Sequence, residues 1–214
     1  MAKNGLIQAL FLTGLVAMFG SCSTAPETQP AEETAEALPA EEAPPSGPPT
    51  AIIETDKGEI TIELLPDIAP ETVRNFLELA EVGFYNQTSF HRVIKGQMIQ
   101  GGDPYSRDRD PYNDGQGSSG AMLPQEFSDH AFDRGTVAMG RSPGGDDGGS
   151  CQFFIALKRA PSWDGQYNAF GRVIEGIEVA EEIADAPLSK DTHPSMKNRP
   201  AGKQTIKRIR VEYR

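Results

Sequence analysis

Cysteine, tryptophan and long hydrophobic runs are all scarce in this chain. The 214 residues include two cysteines and one tryptophan. Cys22 lies in a segment that looks processed and Cys151 lies beside an apolar run, so a disulfide framework is not predicted. Cys151 is expected to be a small buried residue. The longest apolar stretch, Leu6 to Phe19, is too short to cross a bilayer about 30 Å thick as a helix.

Basic residues are also scarce, because acidic residues outnumber them. The chain has 20 Lys and Arg against 31 Asp and Glu, a net charge of −11. Residues 51–214 alone hold 19 basic and 25 acidic residues. A domain with this balance lacks the basic surface that a phosphate backbone requires, so nucleic-acid binding is excluded as a function.

The first 21 residues have the pattern of an export signal. Lys3 supplies a positive start, and the apolar stretch after it has the length of a signal-peptide core. The stretch ends at Phe19-Gly20-Ser21-Cys22, which resembles a bacterial lipobox, although Phe19 stands where leucine is typical. We therefore expect residues 1–21 to be a lipoprotein signal peptide and Cys22 to carry the lipid. An ordinary secretory signal with an incidental cysteine is the alternative.

Residues 22–50 are rich in proline and glutamate. They hold seven of the 17 prolines and six glutamates, and neither a basic nor an aromatic residue. Such a composition buries too little apolar surface to offset the entropy of ordering, so disorder is predicted. Proline-rich chains of like charge stay extended. The segment is predicted to link a membrane anchor at Cys22 to a domain at 51–214, which places a lipoprotein in the cell envelope, on the periplasmic or outer-membrane face.

Short strand patterns dominate residues 51–214, and two helical patterns lie among them. Alternating residues on both sides of a glycine turn predict a hairpin at the start. Pro70 suits a first helical position, and an apolar stripe follows it at helical spacing up to Ala80. Further strands are predicted at 90–94, 98–100, 136–139, 152–157, 170–174 and near the C-terminus, and a second helix at 177–184. Many short strands with two helices indicate a closed, mostly β structure.

Two blocks of sequence carry the residues that point to chemistry. Residues 90–103 read FHRVIKGQMIQGGD, and residues 149–155 read GSCQFFI. Arg92, Met98 and Gln100 fall at even positions around a glycine turn, which is typical of one face of a hairpin. An arginine in an apolar strand costs free energy unless its guanidinium has partners. From spacing alone, a packed stem with a solvated or salt-bridged head explains Arg92 as well as a functional role does.

These blocks resemble the signature stretches of cyclophilins, F-H-R-x-I-x-G-F-M-x-Q-G-G-D and G-S-Q-F-F-I. Residues 164–173, DGQYNAFGRV, are similar to a third stretch of that family, D-G-x-[HY]-x-x-F-G-x-V. The resemblance covers essentially all of residues 51–214. It implies an all-β dominated fold with two helices, namely a closed eight-stranded antiparallel β-barrel capped by two α-helices. It also implies a peptidyl-prolyl cis–trans isomerase that uses no cofactor and no metal, with its site in a groove on the outer face of the barrel.

The resemblance implies roles for individual residues at matching positions. Arg92 corresponds to the catalytic arginine, and Gln100 to the polar groove residue that orients the substrate carbonyl. The expected substrate-binding residues are Met98, Phe154, Gln152, Gln97, Trp163, Tyr167 and Arg141. Arg141 is assigned only loosely, because a glycine-rich insert follows it. The implied partners are proline-containing polypeptide clients and, through Cys22, the membrane, and a monomer is the default expectation.

Two alignments of Trp163 remain open. Anchored on Asp164-Gly165, Trp163 matches a leucine that lines the family's proline pocket. With a gap of one residue, it matches instead the tryptophan that some members use to contact cyclosporin. The two alignments imply different neighbours for the indole ring.

Other kinds of site fit the sequence less well. The acidic residues between 108 and 114 lack the spacing, the glycine and the distal glutamate of a twelve-residue calcium loop. The three histidines are too far apart for zinc-ligand spacing, and His91 is expected to be structural. Ser150 lacks a nucleophile elbow, so a hydrolase is not indicated. The serious alternative is a catalytically weak proline-segment-binding module or chaperone of the cell envelope, which has less use for Arg92.

Gln97 is the informative departure from the family pattern, which has phenylalanine at this place in the wall of the proline pocket. A polar amide there offers less apolar contact, at roughly 25 cal/mol per Å² lost. We therefore predict that Gln97→Phe raises the catalytic efficiency of prolyl isomerisation several-fold, mainly through tighter substrate binding. Steady-state rates on a proline peptide measure this, and an unchanged efficiency contradicts it.

Overall fold

The computed structural model of the protein describes residues 47–141 and 147–213. The predicted signal peptide, Cys22 and most of the predicted linker therefore lie outside the described residues. All described residues belong to one compact unit. Among the helices in these two ranges, none is long and apolar enough to cross a membrane.

The described ranges contain nine strands, two α-helices and three short 3₁₀ turns. The strands are β1 (Thr50–Thr55), β2 (Glu59–Leu64), β3 (Thr88–Ser89), β4 (Arg92–Ile94), β5 (Met98–Gly101), β6 (Thr136–Met139), β7 (Phe153–Ala156), β8 (Ala169–Glu175) and β9 (Thr205–Glu212). The helices are α1 (Pro70–Glu81) and α2 (Ile177–Ala184), and the 3₁₀ turns are Pro104–Arg107, Pro161–Trp163 and Pro194–Met196. Both predicted helices and the opening hairpin are confirmed.

All nine strands belong to one antiparallel sheet in the order β3-β9-β1-β2-β8-β6-β7-β5-β4. The mostly β fold with two helices is as expected from the sequence. The expected closed eight-stranded barrel is wrong in two respects. The sheet has nine strands, and it is an open, curled half-barrel whose edge strands β3 and β4 are not paired with each other.

The open edge has a simple physical cause. Strands β3 and β4 are consecutive along the chain and are separated only by Phe90 and His91. An extended chain covers at most about 3.6 Å per residue, so the distance from Ser89 to Arg92 is at most roughly 11 Å. The segment runs on from one edge of the sheet to the other and does not turn back on itself. The sheet must therefore curl until its two ends lie within that distance.

Gly101 permits the close approach of these two ends. A Cβ atom on Gly101 would lie 2.9 Å from the ring of Phe90 and 3.0 Å from the backbone oxygen of Ser89. Phe90 is fully buried inside the curl, with its ring centroid 6.2 Å from that of Phe153. A side chain at position 101 would force the edges apart, so glycine is required there for steric reasons.

An aromatic cluster fills the inside of the curl. Phe76 of α1 contacts Tyr85, Phe153 and Phe170, with ring centroids 5.3, 5.7 and 5.0 Å away. Burial of each such side chain contributes roughly 1.5–3 kcal/mol, which makes this cluster the main fixed point between helix and sheet. Cys151 is fully buried in the same core, as expected, and burial raises the pKa of its thiol to about 11.

The N-terminus of α1 is capped by a distant segment. Ala69 has no side-chain oxygen for capping, and the Glu126 carboxylate accepts from the backbone N–H groups of Glu71 and Thr72, both at 2.8 Å. Asn168 accepts from the backbone N–H of Glu126 at 2.8 Å and donates to the Thr72 hydroxyl at 2.9 Å. These bonds satisfy helix donors that would otherwise lack partners. They also fix the neighbours of Glu126 and Asn168 along the chain.

Candidate active site

One row of directly opposed residues crosses the outer face of strands β4, β5, β7 and β6. Arg92 lies opposite Gln100, Gln100 opposite Phe154, and Phe154 opposite Ala138. Met98, two residues before Gln100, faces the same way, because successive side chains of a strand alternate between faces. The residues between them on β4 and β5 are fully buried inside the curl. The even-numbered residues of this hairpin therefore share the outer face, as the sequence pattern indicated.

A chain of hydrogen bonds, the polar relay, joins Arg92, Gln100 and Gln152. Arg92 Nη1 donates to Gln100 Oε1 at 3.1 Å, and Gln100 Nε2 donates to Gln152 Oε1 at 3.0 Å. Gln152 Nε2 then donates to the carbonyl oxygens of Gly115 and Gly117 at 3.0 and 2.9 Å. An amide offers donors at one end and an acceptor at the other, so each bond fixes the orientation of the next side chain. The relay ends on main-chain carbonyls, which anchor it.

An aromatic wall stands at the other end of the row. It consists of Phe132, Phe154, Trp163 and Tyr167. The ring of Phe154 lies 5.3 Å from Trp163 and 5.1 Å from Tyr167, both edge to face, and 6.2 Å from Phe132. Edge-to-face pairs of this kind contribute roughly 0.5–1.5 kcal/mol beyond the area they bury, so the wall is stiff. Met98 packs in the same cluster.

Gln100 alone separates Arg92 of the relay from Phe154 of the wall in this row. Strand β5 alone separates β4, which carries Arg92, from β7, which carries Phe154. Neighbouring strands lie about 4.8 Å apart, so the two backbones are roughly 10 Å apart. A small apolar ring can rest against Phe154 and Met98 while the polar groups next to it meet Arg92 and Gln100.

A cavity of about 670 Å³ adjoins the polar relay. Arg92, Gln100 and Gln152 line one side of it, and the glycine-rich loop from Asp114 to Met122 lines another. Residues between 194 and 198 close the end beyond Arg92. The open space therefore continues on from the relay, as an extended polypeptide would require.

Two titratable groups with largely buried side chains, His91 and Asp114, line the same cavity as Arg92. His91 is 7% exposed, and burial lowers the pKa of its imidazole to about 4, although Asp103 opposes this shift. Burial raises the pKa of Asp114 to about 6, against the influence of Arg199, whose Nη2 is 2.7 Å from the Asp114 carboxylate. His91 is thus neutral at neutral pH and adds no positive charge next to Arg92. Its burial agrees with the structural role expected from the sequence.

The structure gathers most of the sequence-predicted site residues, with different degrees of contact. Met98, Phe154, Trp163 and Tyr167 share one cluster, and Gln152 belongs to the relay. The Trp163 ring contacts Phe154 and Tyr167. Gln97 lies in the β4–β5 turn and is half-buried.

Arg141 reaches the site through its side chain. Its guanidinium carbon lies 5.4 Å from the ring centroid of Phe127 and 5.6 Å from that of Tyr167. Such cation–π contacts hold a guanidinium in place while leaving its edge free to donate. The sequence assigned Arg141 to the site only loosely, so this side-chain contact is an addition.

Sequence reasoning missed four residues that shape the site. They are Phe127, Phe132, Asp114 and Arg199. Phe127 and Phe132 lie in the irregular segment before β6, where no periodic pattern marks a buried face. Asp114 and Arg199 are 85 positions apart in the chain, and no local signal connects them. For Phe127 and Phe132, the available sequence signal is a large apolar side chain within a polar stretch.

The acidic loop has local hydrogen bonds. The Asp108 carboxylate accepts from the backbone N–H of Asp110 and from the side-chain amide of Asn113, at 2.7 and 3.0 Å. Asp110 accepts in turn from the backbone N–H of Tyr112 at 3.0 Å. These carboxylates shape the turns of their own loop.

A model of the cyclophilin-type peptidyl-prolyl cis-trans isomerase family matches residues 50–211. The chain belongs to this family. The match spans both helices and every described strand except the last residue of β9, so the relay and the aromatic wall both lie within the cyclophilin domain.

Named relatives agree with this assignment. The chain is similar to the peptidyl-prolyl cis-trans isomerase-like 1 of Mus musculus, with 35% identity over 147 residues, 69% of this chain and 86% of that protein. It is similar to a probable peptidyl-prolyl cis-trans isomerase of Brucella suis, with 39% identity over 139 residues, 63% of this chain and 70% of that protein. A Gibberella zeae isomerase-like 2 protein is 37% identical over 166 residues, 74% of this chain, but the match spans only 26% of that protein.

A solved structure shares the fold. It is the cyclophilin-type peptidyl-prolyl cis-trans isomerase of Cryptosporidium parvum, crystallised in the presence of the dipeptide Ala-Pro. The TM-score is 0.67 at 29% identity, and the alignment covers 77% of this chain and 99% of that one. This cyclophilin domain therefore belongs to a family of enzymes.

The anchoring of the relay generates a prediction for Gln152. Gln152→Met keeps the length of the side chain but removes the bonds to Gln100 and to the Gly115 and Gly117 carbonyls. Without its anchor the Gln100 amide can rotate, so Arg92 loses its fixed partner. We predict a fall in kcat of about tenfold with a smaller change in KM, since one charge-assisted bond contributes roughly 1.5–3 kcal/mol.

Steady-state kinetics on a proline peptide separate the two parameters. Gln166→Met is the matched control, because Gln166 is exposed and lies outside the relay. A kcat for Gln152→Met within twofold of that of the control would show that the relay does not position Arg92.

Proposed function

We propose that this cyclophilin domain accelerates rotation about X-Pro peptide bonds in polypeptides of the cell envelope, with the Arg92 guanidinium stabilising the twisted amide. Family membership and the named relatives support the isomerase activity. The observation that carries the mechanism is the geometry of the row, with an oriented guanidinium at one end and a stiff aromatic wall one residue-width away.

The barrier that such an enzyme lowers comes from amide resonance. Rotation about a peptide bond costs about 18–20 kcal/mol, because resonance stiffens the C–N bond. Before proline the trans form is favoured by only about 0.5–1 kcal/mol, so both isomers occur, and they exchange in tens to hundreds of seconds. In the twisted transition state the proline nitrogen becomes pyramidal and regains its lone pair. A donor held beside that nitrogen binds the twisted form better than the planar form, which lowers the barrier.

The residues of the row suit these tasks. Arg92 stays charged and has a rigid fork of five donors, of which Gln100 takes one. No ion pair within the described ranges involves Arg92, so its remaining donors are not taken up by a carboxylate there. Phe154, Met98 and the rest of the aromatic wall offer the apolar surface against which a proline ring rests. No covalent step or proton transfer is needed, so catalysis rests on preorganised electrostatics.

A second candidate function is a binding module that holds proline segments without turning them over. Gln97 favours it, because the family's aromatic residue is replaced there and the proline ring has less apolar contact. The relay favours the enzyme, because mere binding does not need a guanidinium whose orientation is fixed through two further side chains, Gln100 and Gln152. The two functions differ in what the loss of Arg92 does.

The first experiment compares the wild type with Arg92→Ala and Arg92→Lys on a short Ala-Pro peptide, following cis-to-trans exchange. We expect Arg92→Ala to lower kcat/KM by about 10²–10³-fold, which is the typical cost of a lost transition-state donor. Arg92→Lys, which keeps the charge but not the fork, should retain an intermediate rate. Peptide binding, followed by the fluorescence of Trp163, should change little in either variant.

A folded wild type that accelerates nothing while the peptide still quenches or shifts Trp163 emission would favour the binding module. Trp163 is the chain's single tryptophan and stands in the aromatic wall, so its signal reports on this site alone. Equal rates for the wild type and Arg92→Ala would remove Arg92 from the mechanism.

The envelope location is proposed from the export pattern and the Cys22 lipobox-like sequence. We predict that a labelled fatty acid is incorporated into the full chain in a bacterial host with lipoprotein processing, and that Cys22→Ala abolishes the labelling and releases the chain from the membrane fraction. Cys151→Ala is the control and should keep the label, because Cys151 is buried. Retention of the label in Cys22→Ala would refute the anchor.

A further inference from the structure

The cavity beside the polar relay carries an excess of positive charge. Among the described residues that line it, Arg92, Arg141 and Lys197 have no carboxylate within ion-pair distance. The lining carboxylates in the same ranges are Asp147 and Asp114, and Asp114 is already paired with Arg199. Three cations outside ion pairs therefore line the cavity with one carboxylate outside an ion pair, Asp147, among the described residues, whereas acidic residues outnumber basic ones by 25 to 19 over residues 51–214. A negatively charged ligand would be complementary to the cations that line this cavity.

Arg141 holds its charge at the junction of the cavity and the aromatic wall. Its guanidinium lies between the rings of Phe127 and Tyr167, and the Tyr167 ring is 5.1 Å from that of Phe154. The Glu126 and Asn168 bonds described above fix Phe127 and Tyr167 through their chain neighbours. The arginine is therefore preorganised next to the place where a proline ring rests. Its N–H groups donate to no other described residue.

Lys197 holds its charge at the opposite end, beyond Arg92. The backbone oxygen of its neighbour Asn198 accepts from the Val93 N–H of strand β4 at 2.8 Å, which ties the loop to the strand of Arg92. The buried ion pair between Asp114 and Arg199 joins the same loop to the glycine-rich loop, with 2.7 Å between the charged atoms. The loop that carries Lys197 is thus held in place by a backbone hydrogen bond and an ion pair.

The same two loops are joined a second time, further from the relay. The Tyr112 hydroxyl donates to the Asp191 carboxylate at 2.9 Å, and the Tyr112 ring meets the His193 ring edge to face at 5.0 Å. With two independent contacts the loop that carries Lys197 cannot swing freely. Positive charges therefore stand at both ends of the space that a peptide would occupy.

We propose that the groove selects proline segments flanked by carboxylate side chains, and that Arg141 and Lys197 are the residues that determine this specificity. The inference rests on the proposed function, since it names the substrate class of that same site. The guanidinium of Arg92 serves the proline amide, while Arg141 and Lys197 on either side meet acidic residues before and after the proline. Such charge complementarity raises association rates and discriminates against ligands of the wrong sign.

The chain itself contains a segment of this chemistry. Between Cys22 and Thr50 it has seven prolines and six glutamates with no basic residue, and the pair Glu41-Glu42 lies between Pro39 and Pro44. An acidic proline segment of this composition therefore has two candidate sources, the chain's own N-terminal segment and a client polypeptide. The two sources share one chemistry and can be separated by experiment.

The test compares three peptides with a central Ala-Pro, flanked by glutamates, by glutamines or by lysines, on the full chain kept in detergent. We expect kcat/KM for the glutamate peptide to exceed that for the glutamine peptide by about fivefold at low salt, and the lysine peptide to be the poorest. Exposed ion pairs have effects of this size. At 1 M salt, where the Debye length is about 3 Å, the advantage should vanish.

Variants identify the residues responsible. In the double variant Arg141→Gln and Lys197→Gln the ratio of glutamate to glutamine peptide should fall to about one, and each single variant should lower it part of the way. Lys190→Gln removes the same charge from an exposed lysine of the same loop that does not line the cavity, so it should keep the full ratio. Equal efficiencies for the two peptides in the wild type, or a full ratio in the double variant, would overturn the proposal.

Binding is measured separately through Trp163 fluorescence. If no peptide is accelerated, the proposed isomerase function fails, yet a preference for the glutamate peptide in this titration still supports the charge selection. If the peptides are accelerated but bind and react alike, the function stands and the specificity fails.

A further variant tests whether the acidic proline segment comes from the chain itself or from a client. In this variant the six glutamates between residues 27 and 42 are changed to glutamine in the full chain. A lower apparent KM for the glutamate peptide in this variant supports the proposal and identifies the chain's own segment as a competitor for the groove. An unchanged apparent KM, together with the wild-type preference for glutamate, supports the proposal and assigns the specificity to clients.

Discussion

The seven residues from Thr88 to Ile94 impose the constraint on which the rest of the structure depends. They pair with β9 at one end and with β5 at the other, and these partners lie near opposite ends of a nine-stranded sheet. Because the link between β3 and β4 spans only roughly 11 Å, the sheet must curl around a core. Phe90 turns inward to fill that core, and Arg92, two residues later, is carried to the outer face. The curl of the sheet and the position of the guanidinium therefore have one origin.

The functional chemistry is built on this constraint by hydrogen bonds that run across strands. Arg92 is oriented by Gln100 from the neighbouring strand and, through it, by Gln152, whose amide ends on the carbonyls of a glycine-rich loop. The aromatic wall is assembled from the opposite direction, by β7 and by the segments that carry Phe132, Trp163 and Tyr167. Polar and apolar halves thus approach one space from different parts of the chain. A change in either half alters how a peptide sits against the other.

Charge is distributed unevenly between the cavity and the rest of the domain. The domain as a whole is acidic, whereas the described side chains around the cavity leave three cations without ion-pair partners. The buried pair of Asp114 and Arg199 is costly to desolvate, and breaking such a pair by removing one partner is usually strongly destabilising. The pair joins the glycine-rich loop to the loop that carries Lys197 and so holds the second loop in place. Stability and specificity are linked at this point.

The sequence by itself determined the mostly β class, both helices, the shared face of Arg92, Met98 and Gln100, and the burial of Cys151. These features follow from local periodicity, from turn residues and from a motif that is contiguous in the chain. The sequence did not predict the open, nine-stranded form, because strand closure depends on whether Phe90 and His91 turn back or run on. The Asp114–Arg199 pair, the burial of Phe132 in the aromatic wall and the Phe127–Arg141–Tyr167 contact were decided by tertiary structure alone. They join residues that are distant in the chain, and the free energy of such contacts depends on packing that no local pattern records.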